Sequence, residues 1–473
     1  MRLTTLESKR QRASSRRQFL RVCGACTACA ACPALVKPAT AAEGEKARVR
    51  LVFTHTREGL PTWPNRGYDY EGRKREVAER LRQALPNMEF LPVTALKAGD
   101  AKTILEKDNE VDGYMWFLVG LGPAVGMTIA AQGRPVILVN DLYGGDGTFL
   151  GNYPRARREG LKVAAVSSSR FEDVIQAAKA FECIKRLKSA VILDVTDREP
   201  ASASRAIREL FGTEIRKIGS EEINAVYAAA DRAESQKWAD QWMRNAEKII
   251  EPSREDISKS GLMYVAMRDL MKKHGAPAIT IDCLSLLYGG KLPAAAYPCL
   301  GFTQLNNDGY VGACEADLES AISMLVMTYL VGRPGFISDP VIDTARNQII
   351  YAHCVAPTKV FGPNGTSNPY HIRNHSEDRK GAVVRSLLPL GEMTTTLKFL
   401  PGRKEVLLHQ GKSVANVDED KACRTKLAVE GPDTRKLKAN WSGGWHRVTF
   451  FGDHRDAVET VSALLGINVL PEG

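Results

Sequence analysis

Two carboxylates, Glu315 and Asp317, follow a predicted turn and stand at the start of an apolar helical run, AISMLVMTYLVG. Acidic residues at the start of a helix often cap it or complement its dipole, so one interpretation of the pair is purely structural. The other is that they are ligands, because Asp282 precedes them and two histidines, His353 and His446, follow. Whether these five side chains meet depends on the elements that carry them.

The first 42 residues have the features of a twin-arginine export signal. A basic segment precedes SRRQFL at 15–20, small apolar residues follow, and Ala39-Thr40-Ala41 gives an A-x-A cleavage site. We therefore expect the protein to be exported already folded, to the periplasm or an equivalent compartment. The leader holds eight basic residues and one acidic residue, so its removal lowers the formal net charge from +10 to about +3. A nucleic-acid partner is not expected, because no basic stripe remains.

Four of the ten cysteines lie in the leader and six lie after it. The leader cysteines are Cys23, Cys26, Cys29 and Cys32. Their regular spacing allows an iron–sulfur interpretation, although the ferredoxin pattern has one more residue before its last cysteine. The alternative is that they are ordinary small residues of the leader, lost on cleavage. The later six form no metal-type C-x-x-C pair and no dense disulfide pattern, so we expect mostly buried thiols.

The pattern after the leader predicts an α/β protein with three domains. In 48–169 and again in 170–305, short β-rich runs alternate with helical ones, which indicates two Rossmann-like, doubly wound parallel sheets. The segment 306–473 is rich in β-type runs separated by Gly, Pro and Asn, which favours an antiparallel sheet or barrel, closed by a helix at 455–465. After the leader there is no apolar run of about eighteen residues, so no membrane span is expected.

Two glycine-rich loops, at 119–123 and 144–147, follow predicted strands. The first lacks the third glycine of a dinucleotide fingerprint, and the second lies where open parallel sheets bind ligands. We favour tight-turn roles for both, so no organic cofactor is predicted.

Several stretches resemble the fucose/arabinose ketol-isomerase family, in its divergent fucose-isomerase-like members. They are DCLSLLYGGKLPAAAYPCLGFTQLNNDGYVGACEADLESA from Asp282, AHCVAP, GEMTTTLKF and SGGWHRVTFFGDH. The resemblance implies two Rossmann-like domains, a β-rich third domain and a divalent metal, usually manganese, at the junction of the second and third. It also implies a homo-trimer or homo-hexamer in which the first domain of one chain covers the pocket of another. His55, Trp63 and Tyr68 are candidates for that covering surface.

The family's site residues carry over position by position. Glu315 matches the metal-binding glutamate of the family's Glu-Gly-Asp stretch, and Asp317 becomes an alternative ligand or a residue that supports the ligands. Asp282 stands where arabinose-type enzymes carry a glutamate, a departure that shortens the side chain by one methylene. His353 and His446 match the family's Ala-His and its late histidine. The resemblance thus implies Asp282, Glu315, His446 and His353 as metal ligands, with Asp282 and Glu315 as the catalytic pair.

The chemistry implied is the interconversion of an aldose and a ketose through an ene-diol intermediate, with a pentose or deoxyhexose as substrate. Two carboxylates can pass a proton between neighbouring carbons, while a metal ion stabilises the developing negative charge. Oxygen ligands with one or two imidazoles suit manganese. The alternative is an exported sugar-binding protein that retains the isomerase fold without turnover. A third hypothesis, a metal-dependent hydrolase, has less support because there is no His-rich hydrolase signature. Convergence of both carboxylates and both histidines on one metal would discriminate between the first two hypotheses.

Overall fold

Short buried β-type runs alternate with charged helices through the first third of the described chain. The computed structural model describes residues 45–199 and 201–473. Its first sheet is parallel, in the order β2-β1-β3-β4-β5. The strands are β1 Ala47–Thr54, β2 Met88–Ala95, β3 Gly113–Leu118, β4 Val136–Asn140 and β5 Val163–Ser167, and the helices are α1 Tyr70–Ala84, α2 Asp100–Lys107, α3 Val125–Ala131, α4 Asp146–Arg158 and α5 Phe171–Lys188.

The central strands of this sheet are apolar on both sides. Both faces must therefore be shielded from water, and helices cover them. Every residue of β3, GYMWFL, is buried, as is every residue of β4, VILVN. A strand that is apolar throughout, rather than alternating, is typical of a parallel sheet with two covered faces. The predicted helix at 70–84 is confirmed by α1, whose N-cap Asp69 accepts a hydrogen bond from the backbone of Gly72.

The second sheet is also parallel, in the order β10-β9-β6-β7. Its strands are β6 Val191–Val195, β7 Glu214–Ile218, β9 Ala278–Ile281 and β10 Val311–Cys314, and its helices are α6 Ser202–Phe211, α7 Ser220–Ala229, α8 Arg232–Asn245, α9 Arg254–His274, α10 Cys283–Tyr288 and α11 Cys299–Asn307. The helix that follows β10, α12 Leu318–Val331, is buried along most of its length. It packs against α5, where the Cys183 thiol donates to the Val326 carbonyl at 3.6 Å.

The last third of the chain forms an antiparallel barrel. The strand order is β15-β18-β11-β12-β17-β16, and β15 also pairs with β16, which closes the ring. The strands are β11 Phe336–Asp343, β12 Gln348–His353, β15 Met393–Leu400, β16 Glu405–Asn416, β17 Thr425–Glu430 and β18 Arg447–Phe451; β19 Asn468–Pro471 runs beside β16, and β8 Lys248–Ile249, β13 Tyr370–Arg373 and β14 Val383–Ser386 form a small separate sheet. Two further helices, α13 Thr434–Asn440 and α14 Arg455–Leu465, complete this part.

The predicted fold class is confirmed: two parallel α/β sheets precede a β-rich barrel. The helix predicted at 455–465 is α14, and it packs beside α5 and β5 of the first sheet. The domain boundaries remain a prediction. The proposed leader and its four cysteines lie outside the described residues. Within those residues, no helix combines the length and apolar character needed to cross a membrane.

Candidate metal centre

The turn between β10 and α12 carries two carboxylates, Glu315 and Asp317. Glu315 and Ala316 both adopt positive φ, at 62° and 53°. Such backbone is costly for residues other than glycine and is concentrated at functional sites. The turn is held by the Ala316 amide, which donates to the Ile281 carbonyl at 3.0 Å. Asp317 then caps α12 by accepting from the Ser320 amide at 2.9 Å, so the capping interpretation is confirmed for Asp317.

Barrel register brings three more side chains to this turn. Asp339 of β11 pairs with the residue that precedes His353 on β12. On the other side of β11, Ser338 pairs with Arg447 of β18, and continuing this antiparallel register places Asp339 opposite His446. Neighbouring strands of one sheet therefore supply an aspartate between two histidines.

Ligand-type atoms from four separate segments meet at this point. His446 Nε2 lies 3.1 Å from Asp339 Oδ1 and 3.4 Å from Glu315 Oε2, and His353 Nε2 lies 3.5 Å from Glu315 Oε1. Ligand atoms of Asp339, His353 and His446 all lie within 4.8 Å of one another. The Nε2 atoms of both histidines and Oδ1 of Asp339 are buried without a hydrogen-bond partner. Buried polar groups are normally satisfied, so three unpaired atoms around one point indicate a place for a ligand.

His446 is oriented from behind by Asp317. Its Nδ1–H donates to Asp317 Oδ2 at 3.0 Å, and this arrangement leaves Nε2 free to face Glu315 and Asp339. A carboxylate behind a histidine in this way is the usual support of a metal-binding imidazole. Burial lowers the pKa of His446, but the carboxylates of Asp317, Asp339 and Glu315 together raise it to about 11. In the absence of a metal ion, the imidazolium is thus the cation that balances these acids.

Lys398 of β15 provides a second buried positive charge. Its Nζ donates to Asp317 Oδ2 at 2.8 Å, and its side chain is almost fully enclosed. Burial raises the pKa of Asp317, yet His446 and Lys398 outweigh that effect and hold it well below its usual range. Burial likewise raises the pKa of Glu315, and His353 and His446 bring it below its usual range. Both carboxylates are therefore ionised at neutral pH.

His353 has a different hydrogen-bond pattern from His446. The backbone N–H of Cys354 donates to His353 Nδ1 at 2.9 Å. Because an amide N–H can only donate, Nδ1 is the acceptor, and the neutral ring carries its hydrogen on Nε2. A nitrogen that keeps its hydrogen cannot bind a metal ion, so His353 fits a hydrogen-bond donor to a bound molecule better than a metal ligand.

The residues present fit a hard divalent cation. Glu315, Asp339 and His446 supply two carboxylates and one imidazole, a donor set that suits manganese or magnesium rather than a thiophilic ion. Three carboxylates, those of Glu315, Asp317 and Asp339, lie around His446, and this excess of negative charge is what a divalent cation would offset once His446 loses its proton.

Asp282 is placed differently from the other predicted ligands. Its carboxylate lies 2.7 Å from Arg198 Nε and accepts from Thr196 Oγ1 at 3.2 Å. Among the described residues, no group of potential metal ligands within 4.8 Å of one another includes Asp282. The structure therefore brings together Glu315, His353 and His446 and gives Asp282 other partners.

Two residues of the site, Asp339 and Lys398, were not predicted. Lys398 is the single charged residue of β15, in TTTLKFL, and Asp339 is the single charged residue of FISDPV, the first six residues of β11. A charge in such a strand is a signal in itself, because it must find a partner when the strand is buried. Its partners here come from distant strands, so the sequence alone could not name them.

Known proteins with similar sequences are named sulfoquinovose isomerase. The chain is 26% identical to such a protein from Clostridium sp. (strain MSTE9) over 272 residues, 54% of this chain and 57% of the relative. It is 23% identical over 276 residues to one from Priestia aryabhattai, covering 56% and 60%, and 21% identical over 225 residues to one from Alkalicoccus urumqiensis, covering 46% and 49%.

The chain spans about half the length of the curated relatives it matches. No protein-family model matches the chain. The relatives' names agree with a sugar-isomerase resemblance and do not single out the fucose/arabinose family.

Proposed function

We propose that this protein is an aldose–ketose isomerase that requires a divalent metal ion, with manganese the expected ion. Glu315, Asp339 and His446 would hold the ion. One observation carries the proposal: ligand atoms from four separate segments converge on one point, and three of them are buried without a hydrogen-bond partner. The names of the curated relatives support the same class of reaction.

The two carboxylates are placed for proton transfer between neighbouring carbons. Glu315 and Asp339 approach His446 Nε2 at 3.4 and 3.1 Å, so both lie beside the same imidazole nitrogen. An ionised carboxylate there can remove the proton next to a sugar carbonyl and return it to the adjacent carbon. When bound, the metal ion supplies positive charge to the sugar oxygens during this transfer. Asp339 thus takes the role that the family resemblance implied for Asp282.

The histidines and Lys398 hold this arrangement in place. His353 Nε2–H faces Glu315 and can donate to a sugar oxygen bound between them. Lys398 and Asp317 fix the position of His446 from behind. His353, His446 and Lys398 are buried, and enclosed groups of this kind act more strongly on neighbouring charges than the same groups do in water.

The substrate is proposed to be a sugar aldose. The resemblance favours a pentose or deoxyhexose of the fucose or arabinose type, whereas the relatives are named for sulfoquinovose. A discriminating panel therefore contains sulfoquinovose, fucose and arabinose. The trimer or hexamer and the twin-arginine export remain part of the proposal.

The test uses purified protein without the proposed leader, loaded with Mn²⁺ and incubated with each aldose in deuterated water. We expect a ketose from at least one sugar, with deuterium at the carbon next to the carbonyl when the transferred proton exchanges with solvent. Protein with a full complement of metal that forms no ketose from any of the sugars would contradict the proposal and favour the sugar-binding alternative.

A further inference from the structure

The loop that carries His446 has little backbone rigidity of its own. It begins at Trp441 and includes two consecutive glycines, Gly443 and Gly444, at φ of 70° and 83°. Glycine loses more backbone freedom on folding than any other residue. The Asp317 carboxylate orients only the imidazole ring of His446, so another group has to hold the backbone from which that ring projects.

Arg447, the residue after His446, supplies that contact. Its side chain is fully buried, and its Nη1 donates to the His446 carbonyl at 2.9 Å and to the Gly444 carbonyl at 3.5 Å. Its Nη2 donates to the Ser442 carbonyl at 2.7 Å. The Trp441 ring covers the guanidinium, with Arg447 Cζ 3.9 Å from the ring centroid, and its Nε1–H donates to the Gly444 carbonyl at 3.0 Å. One guanidinium therefore binds backbone carbonyls on both sides of the flexible glycines.

Glu472 holds the guanidinium from the other side. Arg447 Nε donates to Glu472 Oε2 at 3.0 Å, and Nη2 donates to Oε1 at 2.6 Å. With the three carbonyl contacts, these bonds use all five N–H donors of the arginine. A two-pronged pair of this kind fixes the plane of the guanidinium as well as its position. Burial raises the pKa of Glu472, but His409 and Arg447 outweigh burial and lower it, so the carboxylate is ionised.

His409 connects this pair to the strand that carries the other histidine of the centre. Because the ionised Glu472 can only accept, His409 Nδ1–H donates to Glu472 Oε2 at 3.0 Å, while Nε2 contacts the Tyr351 hydroxyl. Tyr351 lies on β12, two residues before His353. We call Tyr351, His409, Glu472 and Arg447 the buried network. Among the residues that the structure describes, none of its four side chains belongs to a group of potential metal ligands.

We propose that Arg447, held by Glu472, is a positioning residue for metal binding. It fixes the 442–446 backbone so that His446 Nε2 faces the other ligands. This inference rests on the metal centre of the proposed function, but not on isomerisation. A buried ion pair by itself is weak evidence for stability, whereas this one directs three donor contacts to the loop that carries a ligand. Partners that orient metal ligands typically change metal affinity by about 10 to 100-fold when they are replaced.

The test measures Mn²⁺ affinity without sugar, from the electron paramagnetic resonance signal of free Mn²⁺. Glu472→Gln keeps the shape of the side chain but removes the charge that holds Arg447, so we expect the Kd for Mn²⁺ to rise about tenfold. Asp108→Asn is the control, because Asp108 is also a buried carboxylate paired with an arginine, Arg50, beside the first sheet. It should lower the melting temperature and leave Mn²⁺ affinity unchanged. A folded Glu472→Gln protein with wild-type affinity, or equal losses of affinity in both variants, would overturn the proposal.

Arg447→Lys separates charge from geometry. Lysine keeps the positive charge beside Glu472 but lacks the planar fork of donors, so the same loss of affinity is expected, and wild-type affinity would overturn the proposal. If neither variant folds, a crystal structure of Mn²⁺-loaded wild type decides. We expect Arg447 to keep its contacts with the Ser442 and His446 carbonyls, and a loop that leaves Arg447 when Mn²⁺ binds would overturn the proposal.

The outcomes separate this inference from the proposed function. Bound Mn²⁺ without ketose formation would contradict the isomerase and leave the role of Arg447 intact. Wild-type protein that binds no Mn²⁺ would overturn the metal centre and this inference together. Ketose formation with unchanged Mn²⁺ affinity in Glu472→Gln would overturn this inference alone.

Discussion

Glu315 comes from a turn, Asp339 from the middle of β11 and His446 from the residue before β18, yet Glu315 Oε2 and Asp339 Oδ1 both lie within 3.4 Å of His446 Nε2. Each of these three side chains is held in position by a structural feature outside the candidate metal centre. The strained turn directs Glu315, the β11–β18 register directs Asp339, and the Asp317 carboxylate directs His446. A change at a supporting contact should therefore affect metal binding, while a change at Glu315 itself should affect the chemistry.

Replacement of Glu315 by glutamine should reduce turnover far more than stability. The change removes a charged ligand and a proton-transfer group together, so we expect a rate loss of at least about 10². Its side chain is 26% exposed, and the free energy of unfolding should change little. Steady-state rates and urea denaturation measure the two effects. Glu319→Gln, which removes an acid of α12 that also lies near Lys398, should retain most activity; equal losses in both variants would contradict a specific role for Glu315.

Asp317→Asn should weaken metal binding and destabilise the fold together. Loss of the charge behind a metal-binding histidine typically lowers metal affinity by about 10 to 100-fold. Asparagine can still cap the helix, but the change removes the negative charge that pairs with buried Lys398, a loss of about 2–4 kcal/mol. Calorimetric titration with Mn²⁺ and chemical denaturation measure the two effects. Asp433→Asn is the matched control, since Asp433 also caps a helix, α13, but has no histidine partner. Unchanged metal affinity in Asp317→Asn would show that it acts only as a cap.

At the scale of elements, the second parallel sheet gathers acids at the carboxyl ends of β6 and β9. Asp194 is 5% exposed and its Oδ1 has no hydrogen-bond partner. Burial raises the pKa of Asp194 to about 6; Arg198 lowers it and Asp282 adds to the rise. This part of the sheet therefore holds a carboxyl that resists ionisation, next to Asp282, which is paired with Arg198.

The raised pKa of Asp194 predicts a pH-dependent stability difference. Since the folded state binds this proton more tightly than the unfolded chain, the carboxyl destabilises the fold as pH rises from about 4 through 6, and the loss persists above pH 6. Asp194→Asn removes that loss. The free energy of unfolding of the variant minus that of the wild type should be about 1–2 kcal/mol larger at pH 7.5 than at pH 4. Urea denaturation at both pH values measures it, and a difference that does not change with pH would contradict the assignment.

The order of elements was largely predictable because hydrophobic period and turn residues are local properties. The helix at 70–84, the helix at 455–465 and the α/β then β-rich division are all confirmed. The site was predictable only in part. Glu315 stands at a helix start that the sequence displays, but Asp339 reaches His446 through barrel register, which pairs residues more than one hundred positions apart. The carboxylate of Asp282 could not be oriented from sequence, because its partner Arg198 comes from the neighbouring strand's loop.

For the whole molecule, the predicted assembly requires an exposed surface on the first domain that would cover a neighbouring subunit's pocket. His55, one of three residues predicted on a covering surface, is 3% exposed and stacks on Tyr70 at 4.0 Å between ring centroids. Trp63 is 55% exposed and remains a candidate for that surface. The trimer or hexamer stays a prediction, and it now depends on Trp63 more than on His55.

Light scattering of the purified protein should give the mass of a trimer or hexamer at micromolar concentration. Trp63→Ala should shift the population toward smaller species without lowering the melting temperature of the single chain, because an exposed ring contributes little to the core. Tyr143→Ala, at a ring that is 78% exposed, is the control and should leave the mass unchanged. A monomer in the wild-type protein would contradict the predicted assembly.

The proposed isomerisation requires a divalent ion held by Glu315, Asp339 and His446. Bound manganese and ketose formation can be measured on the same preparations of wild type, Asp339→Asn and Asp343→Asn, a control on the same strand. We expect one manganese per chain and ketose formation for wild type and Asp343→Asn, with both lost in Asp339→Asn while the metal-free fold is retained. Full manganese binding and turnover in Asp339→Asn, or a manganese-filled wild type that forms no ketose, would contradict this proposal.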